Sequence, residues 1–403
     1  MKTHVEKIVE NLYVLRIDDD STRYFEALWY IPEGITYNAY ILTTSEGSIL
    51  FDTWKKGYDQ VFLDAVTRVV DPKDIKYVVI HHAEPDHTGL LPTILDLLKN
   101  NVTILGHPLA KNMIKAFYNI RVENYRPVSD LGKLAIGNFE LRFIHTPWIH
   151  WPETIMTYIN NLGVLLSCDA FGGYSIPPGL FDDEIDTSDY LRFVKKYVIT
   201  VVGHYRQKII DGIEKLRREG ITPRIIAPSH GIIWRTSPST IVDYYMSIAR
   251  GESSEDKIVV IYGSMYGTVE EYVRKAVELL EAQGFKTIIF RFTSQHQDSV
   301  ADLLGEIADA NALIIGAATY EAGIFPRIKH VIEDIVWKAP SNKPVLILSS
   351  YGWGGVAGRK IREVLEKAGF EIVDVVESKG CLTESLSRRI REAVGKLIDS
   401  VKK

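Results

Sequence analysis

The segment His82-Ala83-Glu84-Pro85-Asp86-His87 sets two imidazoles and two carboxylates side by side, directly after the apolar run Tyr77-Val78-Val79-Ile80. His150, Asp169 and His230 follow it, each at or just after the end of a strand-like run. Side chains at strand ends project into the adjoining loops. If these ends meet at one sheet edge, the ligands converge on a dinuclear metal site. The candidate set is His82, Glu84, Asp86, His87, His150, Asp169 and His230. Asp169 is the natural bridge, because a carboxylate binds through both oxygens. Zinc favours nitrogen and sulfur donors. A mixed histidine and carboxylate set suits non-haem iron, and Glu84 tips the choice that way. His81 is expected on the opposite face from His82, as a structural or supporting residue. Cys168 is expected to be a small buried neighbour of Asp169.

A second chemistry lies further along. The strand-like run Ile258–Tyr262 leads into Gly263-Ser264-Met265-Tyr266-Gly267-Thr268 and then a helix. Backbone amides at a helix start, with the Ser264 and Thr268 hydroxyls, make an anion cradle. The loop has no lysine, which argues against a nucleoside triphosphate. A single phosphate monoester such as that of FMN fits better. The loops Thr319-Tyr320-Glu321-Ala322-Gly323 and Ser350-Tyr351-Gly352-Trp353-Gly354 also follow strands. Ligands of open α/β sheets bind at such carboxyl ends. Aromatic residues there can stack on an isoalloxazine ring, with Trp353 the best placed.

Elements must position these groups. At 403 residues the chain exceeds one ordinary core, so two domains are expected. Residues 1–250 mix strands and helices without strict alternation: Leu12–Ile17, Tyr40–Leu42, Ser48–Phe51, Tyr77–Ile80, Val102–Leu105, Phe139–Ile144, Thr154–Tyr158, Val164–Ser167 and Arg224–Ala227 read as strands. Two packed sheets with outer helices fit that order. Val61, Phe62, Ala65, Val66, Val69 and Val70 form one helical stripe. Residues 251–256 read as a linker, within a polar stretch from Ala249 to Lys257. From 257 to 403 strands and helices alternate regularly, as in a doubly wound parallel sheet.

The bulk numbers are those of a globular protein: 46% hydrophobic and 25% charged residues, with a net charge of −5. The charge argues against nucleic acid as partner, and no apolar run has the length of a membrane span. The N-terminus lacks the apolar core of a signal peptide, so a cytoplasmic protein is expected. Two cysteines, Cys168 and Cys381, are too few for an iron–sulfur cluster or a rubredoxin-type iron.

Taken together, the HAEPDH, TPWIHWPET, SCDAFGG and PSHG segments and the flavin-type loops resemble the flavodiiron proteins, or A-type flavoproteins. The resemblance covers essentially the whole chain. It implies a metallo-β-lactamase-like αββα sandwich followed by a flavodoxin-like domain. It also implies FMN and two iron ions, with reduction of dioxygen to water, of nitric oxide to nitrous oxide, or both. His82, Glu84, His150 and Asp169 would hold the iron nearer the flavin. Asp86, Asp169 and His230 would hold the other, with His87 optional. Tyr197 would correspond to a hydrogen-bonding tyrosine beside the site, and Trp148 and Trp151 would limit solvent access. The resemblance further implies a head-to-tail homodimer, or a dimer of such dimers. The chain ends at Lys403 without a rubredoxin or flavin-reductase segment, so an external donor is expected, rubredoxin or a reduced deazaflavin. Two other readings are a zinc hydrolase of the β-lactamase-like fold and a flavin electron carrier.

Overall fold

A computed structural model describes residues 2–99 and 101–402. The chain forms two compact units: one runs to Tyr197 and resumes at Tyr205–Met246, the other comprises Val198–His204 and the chain from Ser247 onward.

The first unit contains a seven-stranded and a five-stranded sheet. In the larger sheet the strands Lys2–Val9, Leu12–Asp19, Ile35–Thr44 and Gly47–Phe51 run antiparallel, and Ile75–Ile80, Thr103–Gly106 and Tyr125–Pro127 continue it in parallel. The smaller sheet orders Lys133–Ile136, Phe139–His145, Ile155–Ile159, Val164–Cys168 and Ile225–Pro228, with the last pair parallel. Alternation decides which face each side chain takes. Val14, Phe51 and Val79 of one sheet share a core with Leu141, Leu166 and Ala227 of the other. The sheets therefore pack face to face. Their parallel strands Ile75–Ile80, Val164–Cys168 and Ile225–Pro228 each end one or two residues before a predicted ligand, His82, Asp169 and His230 respectively.

Every strand expected in this unit is present, with ends shifted by one or more residues. The helix Asp59–Thr67 buries Phe62, Ala65 and Val66, and Val69 and Val70 lie beyond its end. The edge strand Lys2–Val9 was not foreseen. Of its side chains only Ile8 is buried, so its sequence carries no alternation.

In the second unit five parallel strands lie in the order Lys286–Phe292, Lys257–Gly263, Ala312–Tyr320, Pro344–Tyr351 and Glu371–Lys379, and the short Gly323–Ile324 pairs antiparallel with the end of Ala312–Tyr320. Strand order reverses direction between the first and third strands in sequence, and a crevice opens at such a switch point. Helix Pro238–Arg250 takes in Ala249 and Arg250, and Lys257 already belongs to a strand. Both cysteines are free, Cys168 buried and Cys381 exposed. Among the described residues no helix is long and apolar enough to cross a membrane.

Candidate metal centre

The seven predicted ligands converge. His82 lies two residues beyond the strand Ile75–Ile80, and Glu84, with no capping hydrogen bond from its side chain, immediately precedes a single helical turn, Pro85–Thr88, that begins with proline. Proline suits the first helical position, because its missing N–H has no partner there anyway. That turn presents Asp86 and His87. Gly89 ends it against backbone: a Cβ there would meet Lys56 N, and would lie 2.6 Å from Pro85 O. Gly89→Ala is therefore expected to push the ligand turn outward and destabilise the protein by about 2 kcal/mol, read from urea denaturation.

Two groups form. His82, Glu84 and His150 offer ligand atoms to one point, and Asp86, His87 and His230 to another. Glu84 Oε2 is 3.1 Å from His82 Nε2 and 3.0 Å from His150 Nε2. Asp169 stands between the groups and divides its oxygens. Oδ1 lies 3.1 Å from both His87 Nε2 and His230 Nε2, while Oδ2 lies 3.6 Å from His150 Nε2 and 3.9 Å from His82 Nε2. His87 thus turns inward with the others.

The surroundings fix which ring nitrogen faces in. Glu153 Oε1 accepts from His82 Nδ1 at 2.7 Å and from the Ala83 N–H at 2.9 Å. His230 Nδ1 donates to the Thr36 carbonyl at 2.8 Å, since a carbonyl only accepts. Both histidines then direct Nε2 inward, the arrangement in which an outer partner sets the tautomer of a metal-binding ring. The Tyr197 hydroxyl donates to Asp169 Oδ1 at 3.0 Å, as expected. His81 turns away, bridging Asp52 at 2.6 Å and Thr157 at 2.8 Å. Glu153, Asp52 and the Thr36 carbonyl escaped the sequence reading. The available signal was the buried histidines themselves, each of which needs a partner for its second nitrogen.

Electrostatics agree with a cation site. Burial works to raise the pKa of Asp169, but the charge of His87 and hydrogen bonds from His230 and His87 hold it well below the usual carboxylate range. Burial likewise opposes the charge on Glu84, and hydrogen bonds from His150 and His82 hold its pKa down. Both oxygens of Asp86 and the Nε2 atoms of His87 and His230 are buried with no well-directed hydrogen bond; they meet only one another and Asp169, at ion-pair distances of 3.1 to 3.5 Å. Buried polar atoms are rarely left so. Four such atoms aimed at one point fit a metal ion, and the mixed nitrogen and oxygen donors fit non-haem iron.

A cavity of about 610 Å³ opens beside the centre, lined in part by Tyr37, Lys55, Glu84, Asp86, Phe117 and Tyr118. Tyr37 and Phe25 set their rings edge-on to His230, and Trp151 lies edge-on to His82 at 4.8 Å. Trp148 departs from expectation. It is 37% exposed and packs on Tyr205, whereas Trp151 packs against His82 and His150.

The second unit groups the three predicted loops at the carboxyl ends of neighbouring strands. Ser264 Oγ accepts from the Gly267 N–H at 3.0 Å and closes the first loop. Gly267 precedes helix Thr268–Glu281 with φ +92°, and no side chain caps that helix. Its first N–H groups are therefore free to meet an anion, although Glu270 and Glu271 follow in the first turn. Tyr266 and Trp353 are 95% and 91% exposed, and a Cβ at Gly352 or Gly354 would meet nothing. Flat uncovered aromatics over open backbone fit a planar ring such as that of FMN. Met265 packs inward on the core, and Tyr320 leans on Phe325. Glu321 and Ala322 both adopt positive φ in the tight turn before Gly323. Thr319 turns its hydroxyl to the helix that follows the third loop, accepting from the N–H groups of Val356 and Ala357.

Known proteins show the same organisation. The ODP family beta lactamase model matches residues 35–231, and the flavodoxin model matches residues 260–393. A nitric oxide reductase of Moorella thermoacetica is 29% identical over 91% of this chain and 90% of its own length. A rubredoxin-oxygen oxidoreductase of Megalodesulfovibrio gigas is also 29% identical, over 91% and 90% of the two chains. The solved structure of a flavo-diiron protein from Thermotoga maritima superposes with a TM-score of 0.94 at 39% identity, covering 99% of both chains. Full-length agreement at that identity, in both the sandwich and the flavodoxin-like sheet, places this chain in the flavo-diiron protein family.

Proposed function

We propose that the protein is an oxidoreductase that reduces dioxygen to water, nitric oxide to nitrous oxide, or both, at a non-haem diiron site supplied with electrons by FMN. The observation that carries this reading is Asp169, with one oxygen toward each three-residue group. When bound, two ferrous ions supply two electrons and reduced FMN two more, enough for the four-electron reduction of dioxygen and more than the two needed to join two nitric oxide molecules.

The chain's own residues do the rest. Asp169 holds two ligand sets at neighbouring positions, so two atoms of substrate are held side by side. His82, Glu84 and His150 complete one set, and Asp86, His87 and His230 the other, with His87 a ligand in this reading. Glu153 and the Thr36 carbonyl keep the His82 and His230 rings from turning. Tyr197 fixes the bridging carboxylate through its hydroxyl. Trp151, Tyr37 and Phe25 exclude water from the imidazoles, while the cavity beside Glu84 and Asp86 leaves an approach for a small neutral gas. Ser264, Met265, Tyr266, Gly267 and Thr268 would cradle the FMN phosphate end. Thr319 to Gly323 and Ser350 to Gly354 would border the ring.

We further propose a head-to-tail homodimer, in which the flavin loops of one copy serve the metal centre of the other; the family resemblance supports it. We also propose reduction by an external donor, rubredoxin or a reduced deazaflavin; the likeness to a rubredoxin-oxygen oxidoreductase supports the first. The deciding experiment mixes the fully reduced protein, after iron and FMN assay, with dioxygen and with nitric oxide in an anaerobic stopped-flow instrument. Rapid oxidation of flavin and iron by either gas, with water or nitrous oxide as product, is the expected result and ranks the two substrates. Slow oxidation by both, in a protein that takes up zinc in place of iron, would turn the assignment to a hydrolase.

A further inference from the structure

We propose that Glu377 is a positioning residue for the two ring-bordering flavin loops and that its charge holds down the reduction potential of bound FMN; the inference rests on the flavin reading above. Glu377 lies on the last strand of the parallel sheet, in register with Ser349, the residue that leads into the loop Ser350–Gly354. Its Oε1 accepts from the Ser349 hydroxyl at 2.9 Å and from the Gly358 N–H at 3.0 Å. Gly358 is the second residue of helix Ala357–Lys367.

The start of that helix is a junction. Thr319, from the second loop, accepts from the N–H groups of Val356 and Ala357, each at 3.1 Å. Lys360 donates from Nζ to the Ala322 carbonyl at 2.8 Å. The second loop, the third loop and Glu377 are therefore tied to one helical turn. The third loop also rests on the carboxylate itself. A Cβ on Gly355 would come 2.5 Å from Glu377 Oε2 and 2.6 Å from Tyr351 Cδ1, so the loop closes over Glu377 only because residue 355 has no side chain.

The charge has a direction. A helix start is a positive end that favours added negative charge nearby. Glu377 occupies this one and cancels it, and a half-buried carboxylate beneath the loops that would border the ring would oppose electron addition there more than the same charge in water. A glutamine at 377 keeps the acceptor and the shape but removes the charge.

The test is a spectroscopic redox titration of the full-length, FMN-loaded protein. In Glu377→Gln the two-electron flavin midpoint is expected to rise by about 30 mV, the equivalent of tenfold in the reduction equilibrium. Ser349→Ala keeps the charge but removes its hydroxyl donor, and is expected to move the midpoint the other way. FMN retained with an unchanged midpoint in Glu377→Gln would overturn the proposal, because a purely structural carboxylate predicts that result. So would a fall in the midpoint. Should Glu377→Gln fail to hold FMN, the Ser349→Ala titration decides alone, and an unchanged or raised midpoint there overturns it. A wild-type protein that takes up no FMN would instead bring down the flavin reading, and this proposal with it.

Discussion

Asp169→Ala is expected to lower turnover of dioxygen and nitric oxide by about a thousandfold or more, since the charge stabilisation supplied by a bound metal is worth several kcal/mol at about 1.4 kcal/mol per decade. The size follows from the position. Asp169 faces both three-residue groups, one oxygen toward each, so its removal weakens both halves together. Removing His150 would cost one group a ligand and leave the other whole. Asp169 is also buried, so no water replaces its oxygens without cost. The paired His87 and His230 would lose the carboxylate that balances them, and the Tyr197 hydroxyl its acceptor. Iron per chain should fall well below two while FMN per chain stays near one, because the flavin loops belong to the other unit. That combination, no turnover with flavin retained, separates the diiron reductase from a flavin electron carrier, which predicts intact turnover. Asp169→Asn sharpens the result. It keeps the shape and one acceptor but not the charge, so residual iron there with no fast turnover would locate the effect in the bridge.

Much of this architecture was legible because local rules and tertiary packing agree. The strands Ile75–Ile80 and Val164–Cys168 are apolar runs ending at polar residues, and in the fold they are buried strands ending at ligands. The second unit was legible from the alternation of strands and helices, since its three central strands, Lys257–Gly263, Ala312–Tyr320 and Pro344–Tyr351, are largely buried and read as apolar runs. What escaped depends on distant partners. Glu153 meets His82 across 71 residues, Asp52 meets His81 across 29, and the Thr36 carbonyl meets His230 across 194. No local pattern encodes such pairs. A backbone carbonyl leaves no trace in a sequence at all. Trp148 and Trp151 show the same limit at short range. They are equally aromatic and three positions apart, yet only Trp151 faces the imidazoles. Lys2–Val9 escaped for the opposite reason: an edge strand with one buried side chain needs no apolar periodicity, because backbone pairing with Leu12–Asp19 holds it.

Iron loading of the chelator-treated protein is expected to tighten as pH rises, by roughly tenfold per pH unit for each proton displaced. Three imidazoles set the sign. Burial lowers the pKa of His82, yet hydrogen bonds to Glu153 and Glu84 raise it well above the ordinary value. His87 is raised against the same burial by the charges of Asp86 and Asp169. His230 is pushed up to about 10, its hydrogen bonds to Asp169 and Asp86 outweighing desolvation. Near neutrality His82 and His230 therefore carry protons that a metal must remove, and the upward shift of His87 acts in the same direction. The carboxylates Glu84 and Asp169, held low, are already ionised and add no such dependence. The same shifts act oppositely on the fold of the treated protein. A histidine with a raised folded pKa contributes stability that is complete below its ordinary value of 6.5 and is lost as pH climbs, for His230 through about 10. Between about pH 7 and pH 9 the treated protein should thus melt at progressively lower temperature, while its affinity for ferrous ion increases. The loaded protein, in which the metal replaces those protons, should show the weaker dependence. Competition against a coloured chelator under nitrogen gives the affinities, and proton release into weak buffer on metal addition gives the stoichiometry. A flat affinity across that range, with no protons released, would mean that the imidazoles are neutral before the metal arrives and that carboxylates alone balance its charge.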